Sequence, residues 1–145
     1  MSRLHDFTKA RSMRERLLLQ LFVAFGGIVP VAAGAAGIFL GPAFVGASVA
    51  AVPDSHFRYL SGLLLAIGFG FWSTVPRIEE NGQRFRLLTF IVFIGGLGRL
   101  LALATIGIPN IAMVGALVME LGVTPLLCLW QWKLSRNVRD HIREI

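Results

Sequence analysis

The stretch LLLQLFVAFGGIVPVAAGAAGIFL, residues 17–40, contains no charged side chain. An α-helix needs about 20 apolar residues to cross the hydrocarbon core of a bilayer, so this stretch is long enough to span a membrane. Three further apolar stretches follow, at residues 54–75, 85–106 and 111–132. Together the four stretches predict an all-α fold, an integral membrane four-helix bundle.

The composition favours the same class of protein. Hydrophobic residues make up 55% of the 145-residue chain, and the mean hydropathy is +0.70. Such values are typical of a protein with several membrane spans. The net charge is +6, but the basic residues border the apolar stretches and form no stripe with aromatic side chains, so nucleic acid is not an expected partner. The single cysteine, Cys128, cannot form an intrachain disulfide.

The basic residues predict the orientation in the membrane. Of the 14 Lys and Arg residues, only Arg58 and Arg99 lie outside the segments 1–16, 77–86 and 133–145. Because positive charge is retained on the cytoplasmic side, both termini are expected to be cytoplasmic. Residues 1–16 and 133–145 would then be cytoplasmic tails on either side of a membrane domain at 17–132.

The ends of the spans are predicted from local signals. We expect Gly41–Pro53 to form a loop, with Asp54 or Ser55 as the N-cap of the second helix. Pro76 should stop that helix, and Asn81-Gly82 indicates a polar turn. A secretory signal peptide in the first stretch is an alternative that leaves the remaining spans unchanged.

Four further features belong to the second half of the chain. Gly107–Asn110 predicts a tight turn that makes the third and fourth helices antiparallel neighbours. Pro125 should bend the fourth helix, and Trp130 and Trp132 are typical interfacial anchors. The pair Glu79-Glu80 is expected to be solvated in its turn.

Two charges interrupt the later spans. Counted from the tight turn at about 1.5 Å per residue, Arg99 lies about 12 Å deep and Glu120 about 15 Å. A lone charge at such a depth costs about 2.5–3.5 kcal/mol on insertion scales, so each needs a partner. We therefore predict an Arg99–Glu120 ion pair facing the interior of the bundle.

The second span opens with its own group of polar residues, which would allow Arg58 to approach Glu120. The predicted ligand-binding site is a pocket in the outer half of the membrane, formed by Asp54, His56, Arg58, Tyr59, Arg99 and Glu120. Simpler roles remain open for its members, such as an N-cap, interfacial anchors, a hydrogen bond in the headgroup region, or a buried pair that fixes helix register. No Cys/His set with metal spacing and no phosphate-binding loop occurs, so neither a metal nor a cofactor is expected.

Several strings in the chain also match a known pattern. They are DSHFRYLSGLLLAIG at residues 54–68, GGLGRL at 95–100 and GIP at 107–109, followed by Glu120 ahead of Pro125. Over residues 17–136 the chain resembles a bacterial family of small four-span membrane proteins known as domain of unknown function 4345. More distantly it resembles DoxX-like four-helix proteins, some of which accompany quinone-linked oxidoreductases. The resemblance implies a location in the bacterial inner membrane and no established activity.

Three hypotheses for the function follow. The favoured one is a binding protein whose pocket takes a small lipophilic or anionic-headed molecule such as a carboxylate, a phosphate or a quinone. The second is an enzyme or a subunit of a redox enzyme in which His56 or Glu120 handles protons. The third is a scaffold whose Gly-rich faces bind another membrane protein or a second copy. The bilayer is the expected partner in all three.

Overall fold

The computed structural model describes the backbone of residues 2–46, 51–107 and 111–143, and the side chains of 13–46, 53–107 and 111–138. Within these ranges every regular element is helical, and none is a strand. Four helical segments are long and apolar enough to cross a membrane, and they confirm the all-α fold with four spans. They are Met13–Val45, Pro53–Arg77, Gly82–Ile106 and Ile111–Val138.

Three of the four helical spans are longer than the apolar stretches that predicted them, and the α-helix of the second has the predicted length but begins and ends three residues earlier. Two short 3₁₀ helices, Gly41–Val45 and Val75–Arg77, lie in the connections, and a π-helical turn, Met119–Val123, lies within the fourth span. The α-helices are α1 (Ser2–Leu40), α2 (Ala51–Trp72), α3 (Gly82–Ile106), α4 (Ile111–Val118) and α5 (Thr124–Arg143).

The start of α2 corrects the predicted N-cap. The helix begins at Ala51, so Asp54 and Ser55 lie inside it and cap nothing. Proline is tolerated in a first helical turn, where its missing N–H would have no intrahelical acceptor, and Pro53 therefore does not delay the helix. Asp54 remains favourable in this first turn because its carboxylate faces the positive end of the helix dipole.

The connection from α2 to α3 also differs from the prediction. α2 ends at Trp72, four residues before Pro76, and Thr74 turns the chain by donating its hydroxyl to the carbonyl of Phe71 at 2.7 Å. α3 begins at Gly82 instead of Phe85. Asn81 precedes it, and its side chain donates to the carbonyl of Arg77 at 3.0 Å.

The chain divides into two compact units, which are described separately. The hairpin unit is Gln20–Pro76, and the α3–α5 unit is Arg77–Ile145 together with Met1–Leu19.

In the hairpin unit, glycines let the backbones of α1 and α2 approach closely. A Cβ atom on Gly34 would lie 2.6 Å from the backbone nitrogen of Leu65 and 2.8 Å from the carbonyl oxygen of Ser61. Close contact through small residues is a common way to pack helices in a membrane, where burial of apolar surface gives no driving force. Nearer Pro76, Trp72 donates its indole N–H to the carbonyl of Ala24 at 2.9 Å, and Gln20 donates to the carbonyl of Val75 at 2.7 Å.

In the α3–α5 unit, α3 runs antiparallel to the fourth span. A Cβ on Gly82, at the start of α3, would lie 3.2 Å from the side chain of Gln131, and one on Gly96 would lie 2.7 Å from Leu121. These two contacts run in opposite directions along the two helices, which confirms the predicted antiparallel neighbours. The predicted tight turn lies mostly outside the described residues, which resume at Ile111.

The best-buried part of this unit is a small cluster around one glutamine. The side chain of Gln131 is 1% exposed and donates to the carbonyl of Ile78 and to the Ser135 hydroxyl, both at 2.8 Å. Ser135 donates in turn to the carbonyl of Glu79 at 2.6 Å. The apolar side chains buried in the same unit are Leu19, Ile78, Phe85 and Leu134.

Replacing Gln131 with leucine should lower the free energy of unfolding by about 1–2 kcal/mol, because the carbonyl of Ile78 loses its donor. The loss would be measured by thermal unfolding of the purified protein in mild detergent. Gln83→Leu is the matched control, since the Gln83 side chain is exposed. Equal unfolding temperatures for the two variants would contradict a stabilising role for the Gln131 hydrogen bonds.

Candidate functional site

Arg99 and Glu120 form the predicted ion pair. The Nε of Arg99 donates to Oε2 of Glu120 at 3.0 Å, and Nη2 donates to Oε1 at 3.1 Å. This is the two-pronged geometry in which a guanidinium binds a carboxylate most strongly. The remaining nitrogen, Nη1, donates to the sulfur of Met113 at 3.2 Å. All three guanidinium nitrogens are therefore engaged within the α3–α5 unit.

Glu120 lies in the π-helical turn, a feature that the hydropathy pattern does not predict. Pro125 has no N–H to give to the carbonyl of Leu121, and a wider turn relieves this mismatch. The backbone N–H of Thr124 bonds to the carbonyl of Met119, five residues earlier, as a π turn requires. Gly96 leaves room for the turn, since a Cβ there would lie 3.0 Å from that of Glu120. π turns are frequent at functional sites, which keeps Glu120 of interest.

Arg58 holds the end of α1. Its Nε donates to Oδ2 of Asp54 at 2.9 Å, one turn earlier on α2. Its Nη1 donates to the carbonyl of Ile38 and, at 3.3 Å, to that of Phe39. The last carbonyls of a helix have no partner within the helix, and a guanidinium satisfies them while matching the negative end of the dipole.

The guanidinium of Arg58 also has N–H groups that are available for a further hydrogen bond. Its side chain is 41% exposed, against 25% for Asp54. Among the described residues no acceptor bonds to Nη2, which carries two N–H groups. Arg58 is thus held by its other two nitrogens, while Nη2 lies beside Gly41, where a Cβ atom would come within 2.7 Å of it.

His56 and Tyr59 do not join this arrangement. Both are exposed, Tyr59 to 65%, and within the described part of the chain no hydrogen bond or ion pair connects either to Asp54 or Arg58. The reason is the helical period, because about 100° per residue places positions 56 and 59 well away from positions 54 and 58. The structure brings together Asp54 with Arg58, and Arg99 with Glu120.

The two pairs belong to different units. Asp54 and Arg58 lie in the hairpin unit, and Arg99 and Glu120 lie in the α3–α5 unit. A single pocket made of all six predicted residues therefore stays a prediction, as does the approach of Arg58 to Glu120.

Glu79 is not solvated, contrary to the prediction for the pair Glu79-Glu80. Its side chain is 15% exposed, and Oε1 lies 3.1 Å from Nη2 of Arg16. Its other oxygen, Oε2, is buried and accepts no hydrogen bond from the described residues. Only Glu80 is solvated as expected, at 65% exposed, and it lies 3.7 Å from Arg77.

The described residues contain no group of three or more His, Cys, Asp or Glu side chains that could hold a metal ion.

Comparison with known proteins gives one informative result. No curated protein and no solved structure matches the chain. A family described as a domain of unknown function, DUF4345, matches residues 18–131, which is well over half of the chain. This match confirms the resemblance inferred from the strings around Arg58 and Arg99. The chain is a member of the DUF4345 family, with four helices able to span a membrane.

Proposed function

We propose that the protein binds a small molecule with an apolar body and an anionic or carbonyl head, and that Arg58 receives the head. The observation that carries this proposal is the unused donor capacity of Nη2 on the Arg58 side chain, which is 41% exposed. Two nitrogens of the guanidinium are held by Asp54 and by the carbonyls at the end of α1, while Nη2 has no acceptor among the described residues.

A guanidinium held in this way is well suited to binding. It has already lost much of its side-chain freedom, so less entropy is lost when it takes up a further acceptor. Asp54 offsets most of the positive charge, so the gain comes mainly from directed hydrogen bonds to the ligand. A carboxylate, a phosphate or a quinone oxygen would each serve as the acceptor.

The surroundings of Arg58 support a lipophilic body. Phe39, whose carbonyl accepts a hydrogen bond from Arg58, has a side chain that is 80% exposed, and Leu40 is 58% exposed. Phe44, in the 3₁₀ helix that follows, is 46% exposed. Under the predicted orientation these residues lie at the outer side of the membrane, where a molecule dissolved in the lipid would reach them.

The enzyme hypothesis has less support. Glu120 uses both carboxylate oxygens to hold Arg99, so it could move protons only after the pair separated. His56 is exposed and is linked to neither ion pair within the described residues. The arrangement of these groups favours binding over proton transfer.

One specific observation supports the scaffold hypothesis. Gly95 and Gly98 are exposed on α3, and a Cβ on either would meet nothing within 4 Å. Residues three apart lie on the same side of a helix, so this side could accept a close neighbour. If light scattering gives a smaller assembly for the purified Gly98→Leu variant than for the wild type, this second function is supported.

The test of the binding proposal is mass spectrometry of small molecules that co-purify in mild detergent with the wild type and with Arg58→Gln. We expect a molecule that is about 10-fold or more enriched with the wild type, the loss that follows when a charge-assisted hydrogen bond is removed. The same molecule should remain with Arg77→Gln, because Arg77 is an exposed arginine that is not part of the proposed site, with 75% of its side chain exposed.

A further variant separates binding from stability, because Arg58→Gln also removes the contact to α1. Asp54→Asn weakens the same ion pair but keeps the guanidinium, so it should lose some thermal stability and retain the molecule. If Arg58→Gln and the wild type carry the same molecules in equal amounts, the binding proposal is wrong. If Asp54→Asn and Arg58→Gln lose the molecule in proportion to stability, the role of Arg58 is structural only.

A further inference from the structure

The exposed side of α5 changes character along its length. We call it the α5 lipid face, and it consists of Leu126, Leu129, Trp132, Lys133 and Arg136. Leu126 and Leu129 are 65% and 60% exposed, Trp132 is 43% exposed, and the two basic residues are also exposed. The opposite side of the same helix is buried, at residues 131, 134 and 135. The face thus passes from apolar to aromatic to cationic in under three helical turns.

The aromatic and cationic parts of this face are joined. The guanidinium carbon of Arg136 lies 4.7 Å from the centre of the Trp132 ring, which is a cation–π contact. Stacking occupies the flat side of the guanidinium and leaves the N–H groups at its edge available to oxygen acceptors. Tryptophan side chains concentrate at the level of the lipid headgroups, so Trp132 places Lys133 and Arg136 close to the phosphates.

Among the described side chains of α5, no acidic residue neutralises the positive charge on this face. Between Thr124 and Val138 the described residues of α5 include no acidic side chain. Neither Lys133 nor Arg136 forms an ion pair within the described part of the chain.

We infer that the α5 lipid face binds an anionic phospholipid of the leaflet in which it lies. Lys133 and Arg136 would hold the phosphate, and Leu126 and Leu129 would contact the acyl chains. From Leu126 to Arg136 the helix rises about 15 Å, which matches the distance from the acyl chains to the headgroup in one leaflet. Charge complementarity selects an anionic headgroup over a zwitterionic one, because each basic residue near the surface favours anionic lipid by about fivefold.

This inference is independent of the proposed function. The α5 lipid face lies in the α3–α5 unit, whereas Arg58 lies in the hairpin unit. Failure of either proposal leaves the other standing, since the two are tested with different variants and different measurements.

The experiment uses the full chain reconstituted into vesicles that mix phosphatidylcholine with phosphatidylglycerol. Brominated acyl chains on one lipid or the other quench tryptophan fluorescence, and the ratio of the two quenching curves gives the preference for phosphatidylglycerol. We expect Lys133→Gln combined with Arg136→Gln to lower that preference by about 10-fold or more. Taking the ratio within each variant cancels any change in the emission of Trp132 itself.

Two further variants give the inference its specificity. Arg86→Gln removes an exposed basic residue from α3 and should leave the preference unchanged. Arg136→Lys keeps the charge and should retain most of the preference, losing only what the stacked geometry adds. An unchanged preference in the double variant would overturn the inference. An equal fall in Arg86→Gln would also overturn it, because the preference would then belong to basic charge in general and not to this face.

Discussion

Replacing Arg99 with alanine is expected to lower the free energy of unfolding by about 2–4 kcal/mol, because Glu120 then loses its partner inside the membrane. The side chain of Glu120 is 18% exposed and that of Arg99 is 34% exposed, so the carboxylate is the more enclosed of the two. Leaving a charge unpaired at this depth costs several kcal/mol, whereas the intact pair is nearly balanced against desolvation. Glu120→Ala should be destabilising for the same reason.

The matched variant exchanges the two residues, Arg99→Glu with Glu120→Arg. It restores opposite charges across the same pair of helices, and we expect it to recover at least half of the lost stability. A second double variant, Arg99→Leu with Glu120→Leu, should also be more stable than either single variant, because no lone charge remains.

The measurement is reversible unfolding in mixed detergent micelles, followed by far-ultraviolet circular dichroism. If both single alanine variants unfold like the wild type, the pair contributes nothing to the fold. If the singles are unstable but the exchanged pair recovers nothing, the fold depends on the two-pronged geometry and on the π turn around Glu120, and not on charge pairing alone.

The pair illustrates what the sequence could predict. Hydropathy and length locate the four spans, and a turn between adjacent spans fixes how deep Arg99 and Glu120 lie relative to each other. Two opposite charges at the same depth are expected to pair with each other, because the hydrocarbon core offers no water to solvate either one. The π turn escaped the same reasoning, because hydropathy does not register a change of one residue in the hydrogen-bond spacing, and Pro125 was its only signal.

The group at the start of α2 shows where sequence proximity misleads. Residues 54–59 are crowded along the chain, but the helix separates them into different sides. A helical projection at 100° per residue places Asp54 and Arg58 on one side of the helix. It places His56 and Tyr59 on a different side, away from that pair. The sequence could not predict that Arg58 would hold the end of α1, since its acceptors are backbone carbonyls of another helix.

Gln131 and Glu79 were missed for a related reason. Gln131 donates to a carbonyl 53 residues away, and Glu79 pairs with Arg16 in α1. Local patterns describe a residue's own helix and say little about such distant partners. A glutamine just inside the end of a span and a glutamate in a turn both resemble ordinary polar residues at a membrane boundary.

Replacing Gly34 with alanine is expected to lower the free energy of unfolding by about 3 kcal/mol, near the upper end of overpacking costs. A single methyl group there would meet the backbone of α2, with its Cβ 2.6 Å from the nitrogen and 2.9 Å from the Cα of Leu65. Backbone atoms cannot rotate away as a side chain can, so α1 and α2 would have to separate. Their separation would also weaken the hydrogen bonds between the two helices, including those that Arg58 donates to the end of α1.

Gly26→Ala is the matched control on the same helix. A Cβ on Gly26 would meet nothing within 4 Å, so this variant should be unchanged or up to about 1 kcal/mol more stable from helix propensity alone. Thermal unfolding of both variants in the same detergent would separate the two effects. If Gly34→Ala were as stable as Gly26→Ala, α1 and α2 would not be packed backbone to backbone. Arg58 would then lose the fixed geometry on which its proposed role in binding depends, so the stability of Gly34→Ala also tests the basis of the binding proposal.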